Sequence, residues 1–363
     1  MFVNVRELCD NLSMYQPRFQ ISNKVLRNIG VIEAAKEVID HAPLLPYYEK
    51  KFQTEAVVRS VHHGTRIEGN ELDLTETEQV LLGQSVVARD RDIQEVINYR
   101  EAMKFIDDKE GKGKEEISEE LIKSLHALTV QRILSPEKTG VFRTTQVVVK
   151  NSQTGEVTFK PPLAISVPYL ISDLIAYINI STREDIHPVL KSGIVHYEFV
   201  RIHPFLDGNG RVGRLLSTLV LYNEDYDIRK FFSLEEYFDS DPLSYYQALQ
   251  SVEKHEGDMT YWLEYFTEGL AIELNRIKKK IESISIDGKL RERLGGAPLM
   301  LSERQLKIIE YIQKTGHLQN NAFSSLFPMV SEDTVLNELK TLISSGIIRK
   351  VGKTKAARYV MAS

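Results

Sequence analysis

The sequence predicts a mainly α-helical protein with one small β-hairpin in its central region and a separate C-terminal module of three helices and a hairpin. Apolar residues recur at helical spacing through most of the chain, as in Leu190, Ile194 and Phe199, the mark of helices that bury one face. Only one central stretch, Thr144 to Lys160, has strand character: Val147-Val-Val149 and Val157-Thr-Phe159 flank the turn-rich Asn151-Ser-Gln-Thr-Gly155. After Gly295-Gly-Ala-Pro298 the pattern restarts as three short helices and two alternating strands.

Length and composition set the outer bounds. A chain of 363 residues, 42% of them hydrophobic, holds two or three domains with real cores. Its net charge of −5 gives no global attraction to nucleic acid. The single cysteine, Cys9, excludes an internal disulfide framework and thiolate-metal clusters, which suits a reducing interior. The first residues lack a basic region followed by an apolar one, and no apolar run approaches the ~18 residues of a membrane span. The chain therefore reads as cytoplasmic, with no membrane partner.

Residues 1 to about 45 are mixed, with prolines at 17, 43 and 46, and read as a packed N-terminal arm. A helix is expected from Tyr47 to Glu68, with Ala56, Val57, Val61 and Ile67 on or near one face, ended by Gly69-Asn70. Glu68 then falls in the last turn, where the helix dipole disfavours an anion by ~0.3–1 kcal/mol unless a cation compensates. Thr75-x-x-Glu78 reads as a capping box opening the next helix, which continues past Gly83 into Ile93 to Phe105. Asp107 to Glu116, rich in Lys, Glu and Gly, reads as a solvated connection, after which Ser118 caps a helix carrying Leu121, Leu125 and Leu128.

The chemistry concentrates in His203-Pro-Phe-Leu-Asp207-Gly-Asn-Gly210-Arg211-Val-Gly-Arg214. Pro204 forces His203 out of the helical region, so the helix before it stops at the histidine. Arg211 to Tyr222 is again helical, which puts Gly208-Asn209-Gly210 in a tight loop feeding a helix N-terminus. Unpaired N–H groups there, with the helix dipole, make an anion site. Arg211 and Arg214 project from one face, a geometry that suits a polyphosphate. Asp207 offers a hard oxygen for a Mg²⁺ ion bridging two phosphates, and His203 titrates near neutrality and is fit to take a proton from an attacking hydroxyl. The same letters contain Gly208-x-Gly210-x-x-Gly213, but the dinucleotide fingerprint needs a buried strand before it, and here a helix stands on both sides.

These twelve residues match, at every defined position, the HxFx(D/E)GNGRxxR signature of the Fic (filamentation induced by cAMP) family, which the chain resembles over roughly residues 117 to 268, including Gly140-Val-Phe-Arg143. The resemblance implies a Fic-type helical bundle whose β-hairpin is a flap over the active site. It implies transfer of AMP from ATP to a Ser, Thr or Tyr hydroxyl of a protein, with His203 as general base and Asp207 as Mg²⁺ ligand. Gly208, Asn209 and Gly210 would hold the phosphates, Arg211 the departing ones, and Arg214 the γ-phosphate; Tyr246 would line the adenine side. Ile67-Glu-Gly-Asn70 resembles the family's inhibitory motif (S/T)xxxE(G/N), which implies that Glu68 pairs with Arg214 and restrains the enzyme. Four residues before Glu68, however, stands Gly64, with the hydroxyl one place later at Thr65.

The domains expected are 1–116, a helical region carrying the inhibitory motif; 117–268, catalytic; 269–301, helix and linker; and 302–363, resembling a winged helix-turn-helix. A charged helix is expected over Ala271 to Arg293, Ser302-x-x-Gln305 opens the last module as a capping box, and Ser331 caps its third helix. From Ser302 onward nine Lys/Arg face five Asp/Glu, with Arg349, Lys350, Lys353, Lys355 and Arg358 on the final hairpin. DNA phosphates or a protein are both open as partners of this module, and a homodimer is open too. The alternatives to AMP transfer are a DNA-binding regulator with a ligand-sensing Fic domain, and a Fic enzyme that uses another nucleotide donor or removes AMP.

Overall fold

The computed structural model describes residues 15–42, 44, 46–110, 116–150, 157–180, 185–284, 301–352 and 357–362. They divide into two compact units, Met1–Lys278 and Lys279–Ser363. Among the described residues, no helix is long and apolar enough to cross a membrane.

The first unit is helical, with one small sheet. Its N-terminal part is more regular than its mixed composition suggests: α1, Asn23–Asp40, is capped by the Ser22 hydroxyl, which accepts from the Val25 N–H, and buries Val25, Ile32, Ala35 and Ile39. Helix α2, Pro46–Arg66, ends two residues before Glu68, which lies in a turn closed by Gly69 at φ 95. The capping box that follows lies two residues before the expected one. Asp73 is the cap, bonded to the Glu76 N–H while Glu76 bonds back to its own, and α3 runs Leu74–Leu81. Asp and Thr both cap well, so the pattern fits two frames; the Thr77 hydroxyl, bonded to the Asp73 carbonyl, reinforces the one adopted. Helix α4 is a separate element, Asp90–Glu110, with Asp90 and Asp92 favourably placed in its first turn. It takes up residues 107–110 of the stretch expected to be a solvated connection; residues 111–115 lie outside the described residues.

Helix α5, Glu119–Thr129, starts at Ser118 as expected, and α6, Val167–Ile180, follows the hairpin. At the centre lies α7, Pro188–Ile202, with Val189, Leu190, Ile194, Val195, Phe199 and Ile202 all buried. Such all-round burial marks a core helix, each large apolar side chain contributing ~1.5–3 kcal/mol. Helix α8, Asn209–Asn223, packs along it. Helices α9, Leu234–Ser240, and α10, Pro242–Lys254, lead to α11, Thr260–Ile284. That helix begins eleven residues earlier than the charge pattern suggested, because Asp258 accepts from the Thr260 N–H and Trp262, fully buried, donates to the Gly193 carbonyl. The sheet is short: β1, Val149–Lys150, pairs antiparallel with β2, Val157–Phe159, while Val147 and Val148 stay outside it. The expected turn, Asn151 to Gly155, lies outside the described residues, as do Cys9 and the 295–298 linker.

In the second unit α12, Glu303–Thr315, carries the expected Ser302–Gln305 capping box. Short α13, Phe323–Leu326, and α14, Glu332–Ser344, follow. Strands β3, Ile348–Val351, and β4, Arg358–Met361, form a hairpin that Leu318 joins by exchanging backbone hydrogen bonds with Tyr359. Ile308, Ile312, Phe323, Leu339, Leu342 and Ile348 make a single core. Arg349, Lys350 and Arg358 are exposed on the hairpin; Lys353 and Lys355 lie outside the described residues.

Candidate functional site

The site grows from the junction between α7 and α8. Helix α7 ends at His203, whose φ of 51 and ψ of 60 are left-handed. Pro204 predicts an extended residue there; instead Arg143 holds the turn, its guanidinium donating to the carbonyls of His203 at 2.8 Å and Pro162 at 2.6 Å. The strained backbone is thus fixed from outside the motif. His203 Nδ1 lies 3.3 Å from the Val200 carbonyl. A carbonyl only accepts, so Nδ1 carries the proton and Nε2 keeps its lone pair. Burial holds the imidazole below its ordinary pKa, a shift opposed by the Val200 carbonyl and the charge of Glu68.

The loop after His203 is tied down on all sides. Phe205 stacks on His126 with ring centroids 3.7 Å apart, and His126 Nε2 reaches the Asp207 carbonyl at 3.1 Å. Asn209 spends its side-chain amide on both backbone groups of Phe205, at 2.8 and 2.9 Å, leaving its backbone N–H for any phosphate. Gly208, at φ 79, starts α8 as an N-cap without a side chain. The backbone N–H groups of the helix start are thereby left without a side-chain cap.

Both arginines are almost fully buried. Arg211 reaches Glu95 at 3.3 Å and Asp207 at 3.2 Å; Arg214 donates to Glu68 Oε1 at 3.0 Å and to the Gly64 carbonyl at 2.7 Å. Burial works against the charge on Arg214, and Glu68 more than restores it, so its pKa rises. The Nε groups of both arginines are buried with no hydrogen-bond partner. Orphan guanidinium donors beside a helix N-terminus are suited to phosphate oxygens.

Glu68 and Gly210 meet directly: a Cβ on residue 210 would collide with Glu68 Oε1. The carboxylate thus occupies the ground over the helix start that a phosphate would take. Gly64 has its own reason. A Cβ there would lie 2.8 Å from the ring of buried Tyr99, whose hydroxyl donates to Glu235 at 3.0 Å. The neighbouring Thr65 hydroxyl donates to the carbonyls of Val61 and His62, so it plays no part in the pairing. Asn70 secures the far side of the turn through Glu95 at 3.1 Å and the Asp92 carbonyl at 3.0 Å.

Asp207 Oδ1 accepts from the Gly208 N–H and Arg211, and Oδ2 from Arg91 Nη2 at 3.0 Å. Burial alone would raise its pKa; Arg211, the Gly208 N–H and Arg91 outweigh that and lower it. An ionised carboxylate beside a phosphate cradle fits Mg²⁺, which binds through one or two carboxylates and the substrate's phosphates. Among the described residues no cluster of three or more metal-ligating side chains offers an all-protein cage.

A cleft of about 150 Å³ joins Glu68, His203, Gly210 and Tyr246 with Val149 and Phe159 of the hairpin. This is below the ~300–1,000 Å³ of ordinary ligand sites. Tyr246, half exposed, donates to the Ile67 carbonyl at 3.3 Å and so touches the turn that carries Glu68 as well as the cleft. All nine candidate residues fall in this one region. Arg91, Glu95, Tyr99 and His126 also belong to it and carry no local sequence signal, since each acts across long separations in the chain.

Residues 116–221 match the family model described as Fic/DOC. Protein adenylyltransferase fic-1 of Caenorhabditis elegans is 30% identical over 212 residues, 57% of this chain and 39% of its own. Protein adenylyltransferase Fic of Drosophila grimshawi is 32% identical over 179 residues, 49% of this chain and 35% of its own. The chain thus spans less than half the length of these curated relatives. A crystal structure of a Fic family protein from Desulfovibrio desulfuricans G20 shares the fold, with a TM-score of 0.66 and 24% identity, over 96% of this chain and 98% of that one.

Proposed function

With a Fic/DOC family domain at residues 116–221 as the premise, we propose that this chain transfers AMP from ATP to a hydroxyl of a protein, and that Glu68 restrains the reaction. The observation that carries this reading is the convergence, in one cleft, of a histidine whose free lone pair is on Nε2 with a helix N-terminus backed by Arg211 and Arg214. That set supplies a base, an anion cradle and charge to take up a departing polyphosphate.

In this mechanism His203 Nε2 accepts the proton of the target hydroxyl as its oxygen bonds to the α-phosphorus. The bond from that phosphorus to the oxygen bridging the α- and β-phosphates breaks, and pyrophosphate leaves against the α8 N-terminus and Arg211. Asp207 would hold Mg²⁺, which supplies charge neutralisation on the phosphates when bound. Tyr246 bounds the nucleotide cleft, and the hairpin edge at Val149 and Phe159 lies where an extended target segment would add a strand. Glu68 opposes all of this by engaging Arg214, the donor assigned to the γ-phosphate. The names of the similar proteins support AMP as the transferred group.

The test is to incubate the Glu68→Gly protein with Mg²⁺ and each nucleoside triphosphate in turn and to weigh the intact protein. An adduct of one AMP from ATP, absent when His203→Ala is added, is the expected result. No adduct from any nucleotide, or an adduct that survives the loss of His203, would overturn the assignment.

A further inference from the structure

A cavity larger than the catalytic cleft lies elsewhere in the first unit. It measures about 560 Å³ and lies among α2, α3, α4 and α8, within the ordinary range for a small-molecule site. Val57, Leu81, Met103, Ile106 and Leu215 give it apolar walls. Arg100 also lines it, and its Nη1 is buried with no hydrogen-bond partner. A guanidinium cannot lose its proton, so an enclosed and unsatisfied N–H calls for an acceptor.

The acids nearby are committed elsewhere. Asp107 pairs with Lys230 at 3.0 Å, and Glu235 accepts from the hydroxyls of Tyr99 and Ser233. Glu78, the remaining carboxylate of the lining, is exposed, as is Lys50, which adds positive charge. The cavity therefore pairs a buried cationic donor with an apolar body. We propose that it binds a small amphiphilic carboxylate, with the head on Arg100 and the aliphatic chain along Val57, Met103 and Leu215.

The walls give such a ligand a consequence. Helix α2 leads into the turn that carries Glu68, and α8 carries Arg214; Thr218, on the cavity wall, donates to the Arg214 carbonyl at 3.1 Å. Tyr99, next to Arg100 on α4, packs on Gly64. The cavity exists in the arrangement in which Glu68 and Arg214 are paired. A ligand that fits it favours that arrangement by its differential affinity, and so acts as a co-inhibitor. Only this last step rests on the function proposed above.

The probe is decanoate, titrated into the full chain by calorimetry without nucleotide, with decanol as the uncharged counterpart. Hydrogen exchange of residues 57 to 68 is followed in parallel. The expected result is saturable binding that slows this exchange, is weakened about tenfold or more in Arg100→Met, and is abolished in the cavity-filling Val57→Phe. Thermal melts of both variants verify that they fold. Absence of saturable decanoate binding, equal binding of decanol, or binding indifferent to both substitutions would overturn the proposal. Since no step uses ATP, failure here leaves the AMP-transfer reading standing, and failure of AMP transfer leaves this site standing.

Discussion

Arg211 and Arg214 leave α8 three residues apart, and both are almost completely buried, yet their partners differ in kind. Arg211 is held by Glu95 in the middle of α4 and by Asp207 in the anchored loop, both parts of the permanent scaffold. Arg214 is held by Glu68, in a turn beyond the end of α2, with 29% of the glutamate side chain exposed. Two guanidinium groups on one helix thus differ in what faces them: Arg211 has two carboxylates, one on a helix and one in the loop, and Arg214 has one, in a turn between helices. A buried charge needs a partner, and on the function proposed above the partner of Arg214 is the one an incoming phosphate would replace.

The contrast can be broken first at the permanent pair. Glu95→Gln keeps an acceptor for Asn70 but deprives buried Arg211 of a counter-charge, and should cost roughly 3 kcal/mol in unfolding free energy by urea titration, with no rise in AMP transfer. Next comes the seat of the replaceable pair. Gly64→Ala drives a methyl group into Tyr99, and should destabilise by about 1–3 kcal/mol while raising basal AMP transfer severalfold, because the turn carrying Glu68 is displaced.

The pH profile sharpens the comparison in another way. Burial holds His203 below its ordinary value of about 6.5, so the base form is present at neutrality and activity falls only as pH drops through that lowered value. Glu68 opposes the shift, so the acid limb of kcat/KM should lie lower still in the Glu68→Gly enzyme. The smallest effect is expected at Arg91, whose exposed contact with Asp207 is worth little. Arg91→Ala should tighten Mg²⁺ binding by the ATP-loaded protein about two- to fivefold in calorimetry.

Much of this was legible in the residues because the signals are local. The helix-loop-helix around His203 follows from Pro204, Gly208 and the flanking periodicity, and the caps at Ser118, Ser302 and Ser331 are set by side chains three residues from the groups they bond. The frame error at Asp73 shows the limit of the same logic, since two overlapping boxes satisfy it. What stayed hidden acts at a distance. No local pattern announces that Tyr99 demands a glycine at position 64, that Arg143 imposes a left-handed His203, or that Arg91 reaches Asp207 across 116 positions of sequence. The helix of residues 23 to 40 carries no such signal, because its apolar residues are too evenly spread to mark one face.

The most direct test compares initial rates of AMP incorporation from ATP in the parent, Glu68→Gly and Glu95→Gln proteins under the same conditions. The account predicts a rise of about tenfold to a hundredfold for Glu68→Gly, the worth of one charged hydrogen bond, and none for Glu95→Gln. Equal rates in the parent and the folded Glu68→Gly protein would contradict it.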